Sequence, residues 1–302
     1  MTLTDIPATD STAEEYAGAL AGRLFEAGLG FFELATVALG DRLGLYRAIA
    51  DRGPSTIAEL AEAIGLDRRY LREWCEQQAA AGLLATDGTT AADPDTRSYA
   101  LPSGSEAVLI DPESPAYLIP ITGFLESAAR VLPDLESAFR TGRGIPYADY
   151  GVQHAQGGFN RPAFTGQLVQ QWLPAIPDLH ATLTAGGMVA EFGCGEGWAA
   201  IALAKGYPGV TVDAFDVDAP SIEAARRHAE AAGVADRVRF VVADVADPAL
   251  TGRYDAVFAF EMVHDLAHPV EALRAARRLT GAGRSPVILM DERTEEEFSA
   301  PA

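Results

Sequence analysis

The stretch MVAEFGCGEGWAAIALA, residues 188–204, limits the possible fold more than any other part of the chain. An apolar run breaks into glycines at alternate positions, Gly193, Gly195 and Gly197, and then resumes with apolar residues at helical spacing. A strand without polar alternation is covered on both faces, as in a parallel sheet. Further strand-like runs follow at about 210–216, 238–242, 254–260 and 286–291. Helical patterns start between them near 197, 220, 246 (a short one) and 267. Strand alternating with helix predicts an α/β fold, a doubly wound, Rossmann-like and mostly parallel sheet. Ligands of such sheets sit outside the carboxyl ends of the strands, where strand order reverses, and the glycine loop leaves its strand there.

The spacing excludes two common ligands. A dinucleotide fingerprint needs G-x-G-x-x-G, whereas here the sixth position is the bulky Trp198, and no Lys-Ser/Thr follows to make a phosphate loop. Glycine still lets bare backbone approach a ligand closely. Glu191, just before the loop, would repel a pyrophosphate and attract an ammonium group, directly or through water. Asp216 ends the second strand in VTVDAFDVD, about 20 residues beyond the loop, where a carboxylate accepts hydrogen bonds from ribose hydroxyls. Asp244 follows the third strand in VRFVVADVAD and can accept from an adenine amino group. Together these positions fit an adenosyl ligand with a positively charged tail.

The chain has 302 residues, enough for two moderate cores. Residues 1–105 read as a helical, winged-helix-like domain. TIAELAEAIGLDRRYLREWCEQQAAAGLL gives helix, turn and helix with Asp67 as a cap, and LLATDGT and TRSYAL give a hairpin. The second helix offers Arg68, Arg69 and Arg72, but Asp67, Glu73 and Glu76 offset them. The formal charge of the whole chain is −20, and no segment is basic. Nucleic acid and anionic membrane are therefore not expected partners. FFELATVALGDRLGLYRAI, with Phe31, Leu34, Ala38 and Leu39, can pack on its own core or on a partner chain, and a homodimer is expected. The opening segment lacks a signal-peptide pattern, no run approaches the length of a membrane span, and only Cys75 and Cys194 are present. The expectation is a cytoplasmic address.

Residues 106–180 read as a connector, helical at first and then loop-like through TGRGIPYADYGVQHAQGGFNRPAF. Tyr147, Tyr150, Phe159 and Asn160 either line a substrate pocket or pack the domains together. No histidine has metal-ligand spacing, and no metal is expected.

At this point the residues resemble the class I S-adenosylmethionine-dependent methyltransferases. EFGCGEG looks like the first motif of that family, FDVD like its ribose-binding acid and VADV like its adenine-side acid. The whole chain is similar to the subgroup with an amino-terminal winged helix, including plant-type small-molecule O-methyltransferases and their bacterial relatives. The resemblance implies that S-adenosyl-L-methionine is the cofactor and that residues 181–302 form its domain. Glu191, Gly193, Gly195 and Gly197 would surround the methionine part, with Asp216 and Asp244 on ribose and adenine. It also implies methyl transfer to a small molecule, at oxygen. The His-Asp pair that supplies the general base in plant-type relatives is matched by His264-Asp265, and Asp291 lies where that family has an acid partner. A neutral imidazole is suited to take a hydroxyl proton near neutrality. Equally, a histidine at a strand-to-helix turn can simply cap backbone groups. The family continues past the fifth strand with a helix and two more strands, whereas this sequence stops at DERTEEEFSAPA, so a truncated sheet is expected. Two other functions compete: a regulator of transcription that senses S-adenosylmethionine, and a binder of that cofactor without turnover.

Overall fold

The computed structural model describes residues 12–87, 93–281 and 285–298. They form two compact units, the first built on residues up to Asp111 with Ile121–Glu126 and the segment from Arg293, the second on Pro112–Pro120 and Ser127–Glu292. The three-part division expected from the sequence is thus drawn as two, with most of the 106–180 connector in the second unit.

The first unit begins with α1 (Ala13–Arg42), which starts in a capping box where Thr12 and Glu15 satisfy each other's amides. After α2 (Leu45–Arg52) come β1 (Ser55–Thr56) and α3 (Ile57–Ile64), whose start repeats the device with Thr56 and Glu59. As expected, Asp67 caps the next helix, α4 (Arg68–Ala80), accepting from the amides of Arg69 and Tyr70. Tyr46, Ile49, Leu60, Leu71 and Trp74 fill the core. The Trp74 indole donates to the Thr36 carbonyl at 2.9 Å, and the Tyr46 hydroxyl donates to Gln78 at 2.6 Å. The wing is β2 (Ala85–Thr86) against β3 (Ser98–Ala100), with β1 added on the far side of β3, and α5 (Ser105–Leu109) follows. The tip of the expected Asp-Gly loop, residues 88–92, lies outside the described residues.

The second unit carries α6 (Ile121–Thr141) from its second turn on, α7 (Tyr147–Tyr150), α8 (Gln153–Ala163), a π-helical stretch Phe164–Trp172 and α9 (Pro177–Ala185). The sequence reading of 141–164 as loop is corrected here. Gly157 and Gly158 look like helix breakers, yet a Cβ at either would lie 3.0 Å from Glu196 or Pro120, so the absent side chains are what let α8 pack closely. Next come β4 (Gly187–Phe192), α10 (Trp198–Gly206), β5 (Val210–Asp216), α11 (Ala219–Ala231), β6 (Val238–Val242), β7 (Ala256–Phe260), α12 (Pro269–Leu279) and β8 (Val287–Met290). The expected short helix near 246 is replaced by two side-chain turns. Asp244 accepts from the Ala246 amide and Asp247 from the Ala249 amide, each at 2.8 Å, and these local bonds compete with helix formation.

The five strands are all parallel in the order β6-β5-β4-β7-β8. Alternation along each strand feeds two cores. Val189, Ala256 and Phe258 meet α9, α10 and α11, while Ala190, Phe192, Val257 and Ala259 meet α12 through Ala272, Ala275, Ala276 and Leu279. The chain builds outward from β4 through β5 and β6 and then crosses to β7, so order reverses beside β4. Among the described residues β6 and β8 are the sheet edges.

Candidate active site

A cavity of about 1000 Å³, counting its open mouth, lies within the second unit at the carboxyl ends of the strands. The same alternation that sends Val189 toward α10 sends Glu191 there. Glu191 is buried, its carboxyl bonded by the Ala200 amide and its Oε2 without a partner. Burial, relieved in part by that amide and aggravated by Asp216, pushes its pKa up to about 8. Beyond it the chain turns through three glycines with positive φ, 65°, 48° and 83°. At Gly195 a side chain would meet nothing, so this is where backbone stands bare to the cavity. At Gly197 a Cβ would lie 2.7 Å from the Phe240 ring and 2.9 Å from Ala225, so that glycine lets α10 start close against the sheet.

Asp216 binds two amides, that of Gly195 at 2.8 Å and that of Asp218 at 2.9 Å, which ties the glycine loop to the tip of β5. Burial raises its pKa despite these bonds. Glu191, Gly193, Gly195, Asp216 and Asp244 all line the cavity, and Gly197 does not. Of the residues expected at the substrate, Tyr147 and Asn160 line it. Tyr150 does not, and its carbonyl accepts from Ser127 and Arg130. Nor does Phe159, which falls between the cavity-facing positions of α8 and is exposed.

At the far end of the sheet, Glu261 follows β7 with φ 52°, the one non-glycine residue with positive φ among those described, and its amide donates to Met290 at 2.8 Å. Its carboxyl is raised by burial and then by Asp291 and Glu292. His264 sits in the following turn, half-exposed, with Nδ1 hydrogen-bonded to Asp291 Oδ1 and Nε2 3.7 Å from Asp265 Oδ2. A carboxylate oxygen can only accept, so Nδ1 carries the hydrogen. The bond to Asp291 raises the His264 pKa, outweighing desolvation. Burial works against ionisation of Asp291, but the bonds from His264 and the Glu292 amide leave it below the usual range. Asp265 and Leu266 line the cavity, whereas His264, adjacent to them in the chain, and Asp291 are not among its lining residues.

Several cavity residues were not singled out from sequence. Gln153, Gln156 and Asn160 recur at helical spacing on one face of α8, a pattern hidden while that segment reads as loop. Glu196 is buried and accepts from, or pairs with, His154 Nδ1 at 2.9 Å. Glu261 gives no sign in sequence, because its strain is visible only in the backbone. Among the described residues no group of three or more His, Cys, Asp or Glu converges to hold a metal ion.

Residues 189–283 match the family described as Methyltransferase domain, and residues 33–110 match an Rv2258c-like winged HTH domain. The chain thus carries a methyltransferase domain preceded by a winged HTH domain. It is 31% identical over 99 residues to the ubiquinone biosynthesis O-methyltransferase of Pseudomonas aeruginosa, covering 33% of this chain and 42% of that protein. The chain spans less than half the length of the curated relatives it matches. The solved structure of the mitomycin 7-O-methyltransferase MmcR superposes with a TM-score of 0.65 at 21% identity, over 95% of this chain and 84% of that one. Human N-acetylserotonin methyltransferase in complex with SAM superposes with a TM-score of 0.61 at 16% identity, over 90% and 78%. At these identities the superpositions establish a shared fold.

Proposed function

We propose that this protein binds S-adenosylmethionine in the cavity and methylates a small-molecule acceptor at oxygen. One observation carries the reading. Glu191, Glu196, Asp216, Asp244, Glu261 and Asp265 line the cavity, with no Lys, Arg or His among the lining residues. Their summed negative charge disfavours a phosphorylated cofactor and attracts a sulfonium with an ammonium tail. The residues also fit the group in detail. Glu191 Oε2 is a buried acceptor awaiting a donor, and the bare backbone at Gly195 leaves room beside it. When bound, the cofactor supplies an electrophilic methyl on a positively charged sulfur. Glu191, Gly193 and Gly195 would hold its methionine part, Asp216 its ribose and Asp244 its adenine.

The protein's remaining contribution is positioning and proton removal. Tyr147, Asn160 and Phe164 form the wall beside Phe260, Met262 and Leu266, an apolar slot with two polar handles suited to an aromatic or hydroxylated acceptor. His264 acts as base through Nε2, and Asp291 fixes its other nitrogen and stabilises the imidazolium. Incubation of the whole chain with labelled S-adenosylmethionine and a panel of phenols tests the reading. Transfer of label to a phenolic oxygen supports it, and cofactor binding with no transfer to any hydroxyl compound would leave only a binding protein.

The proposal extends to a homodimer. On α1, Leu24, Phe25, Leu29, Phe31 and Phe32 are exposed, whereas Ala38 is buried. A stripe of that size on a net-acidic unit favours a second copy over a nucleic acid. Sedimentation of wild type and Phe25→Glu decides it: a dimer converted to a monomer is expected, and a monomeric wild type would contradict it. Both cysteines are free and buried, which supports a reducing, cytoplasmic address.

A further inference from the structure

Trp198 is the first residue of α10, and its indole is fixed on both faces. The Arg161 guanidinium lies 4.2 Å over the ring, and the His228 imidazole stacks beneath it at 4.3 Å with 22° between planes. These partners are themselves anchored. Arg161 Nε donates to Glu113 at 2.8 Å, and His228 Nδ1 lies 3.0 Å from the Glu196 carbonyl, an acceptor, so that nitrogen carries its hydrogen. The ring cannot turn to seek a partner, yet its Nε1–H is buried and has none.

Buried donors without partners are rare and costly, so each one calls for an explanation. Among the described residues four buried side-chain atoms lack a hydrogen bond: two are guanidinium nitrogens of the first unit, Arg72 Nε and Arg97 Nε, and the other two are Glu191 Oε2 and Trp198 Nε1. Both Glu191 and Trp198 line the cavity. One is a carboxyl that offers an anionic acceptor once it ionises against a cation. The other offers a donor, with the cationic Arg161 stacked on its ring. A ligand that satisfies both must present an ammonium and a carboxylate together, which is the makeup of an α-amino acid. Glu191 lies on β4 and Trp198 opens α10, so the pair belongs to the β4–α10 end of the cavity.

We infer that the indole Nε1–H of Trp198 receives the carboxylate of the cofactor's amino-acid tail, opposite Glu191, and so selects for a ligand with an intact tail. This rests on the adenosyl reading above. Arg161 and His228 act as positioning residues, holding the indole in the one orientation that aims its N–H.

The test compares S-adenosylhomocysteine with 5′-methylthioadenosine, which has no amino-acid tail, by calorimetric titration of the full chain. Trp198→Phe keeps an aromatic ring between Arg161 and His228 and removes the N–H together with the five-membered ring that bears it, so 5′-methylthioadenosine serves as the control for lost packing. The variant should bind S-adenosylhomocysteine about tenfold more weakly, the loss expected for one hydrogen bond to a charged group, and 5′-methylthioadenosine as wild type does. Unchanged affinity for S-adenosylhomocysteine would overturn the inference, and so would an equal loss for both ligands, since that marks a packing role. A second measurement needs no variant. Wild type should bind decarboxylated S-adenosylmethionine about tenfold more weakly than S-adenosylmethionine, again one charged hydrogen bond; equal binding would overturn the inference. A wild type that binds neither adenosyl compound would overturn the adenosyl reading, and the role of Trp198 with it.

Discussion

The two ends of the strand tips are built differently. At β4 and β5 the polar groups are tied to backbone: Asp216 takes the amides of Gly195 and Asp218, and the Glu191 carboxyl takes that of Ala200. At β7 and β8 they are tied to one another: His264 bonds Asp291 and faces Asp265, while Asp291 and Glu292 press on Glu261. Backbone amides do not titrate and do not swing, so the first end is fixed in geometry, and its Glu191 carboxyl, titrating at about 8, is the group there that responds to pH. A cluster of titratable side chains responds to pH and to whatever docks beside it. The contrast suits a site whose cofactor is constant and whose chemistry requires a proton to move.

The largest effect expected is on turnover. His264→Ala should lower kcat by roughly 10²–10⁴-fold, the usual share of a general base, with cofactor affinity held within about twofold. Turnover equal to wild type would reduce His264 to a cap. Asp216→Ala acts at the other end. It removes the acceptor for two amides and for the ribose, and should weaken cofactor binding about 100-fold by calorimetry, from two charged hydrogen bonds. If both substitutions change kcat and affinity alike, the division between the two ends is wrong.

Glu191→Gln gives a smaller effect with a definite sign. The folded carboxyl titrates at about 8, above its ordinary 4.5. Between those values the folded state keeps a proton that the unfolded state has released, so stability falls as pH rises through this window and stays low above it. The ligand-free Gln variant has no such loss. It should be more stable than wild type at alkaline pH by on the order of 2 kcal/mol, with the gap closing in acid, as read from thermal unfolding at several pH values. A gap that does not change with pH would remove the raised carboxyl from the account. Smallest is a shift in the pH–rate profile. Because the bond to Asp291 raises the His264 pKa, Asp291→Asn should move the acidic limb of kcat to lower pH. A limb that stays in place would mean that Asp291 does not set it.

The cofactor end could be read from sequence because each of its parts is local. Glu191, the glycines and Asp216 sit at fixed offsets from strand ends, and strand ends follow from apolar runs. The acceptor wall could not, because α8 hides its cavity face behind two glycines whose packing partners, Glu196 and Pro120, are distant in the chain. For the same reason Tyr150 and Phe159, which do not line the cavity, could not be separated from Tyr147 and Asn160, which do: without the helix, residues of the segment could not be sorted by the side they face. Trp198 was visible only as a misfit in a glycine pattern, and its orphan N–H required knowing what lay on both sides of the ring.

One titration bears directly on the claim that the cavity takes a cationic nucleoside rather than a phosphorylated one. Calorimetry of the full chain at pH 7 in buffers of different ionisation enthalpy should give saturable binding of S-adenosylmethionine, with proton release as Glu191 ionises against the incoming ammonium, and no heat with NAD. Saturable binding of NAD with none of S-adenosylmethionine would contradict it.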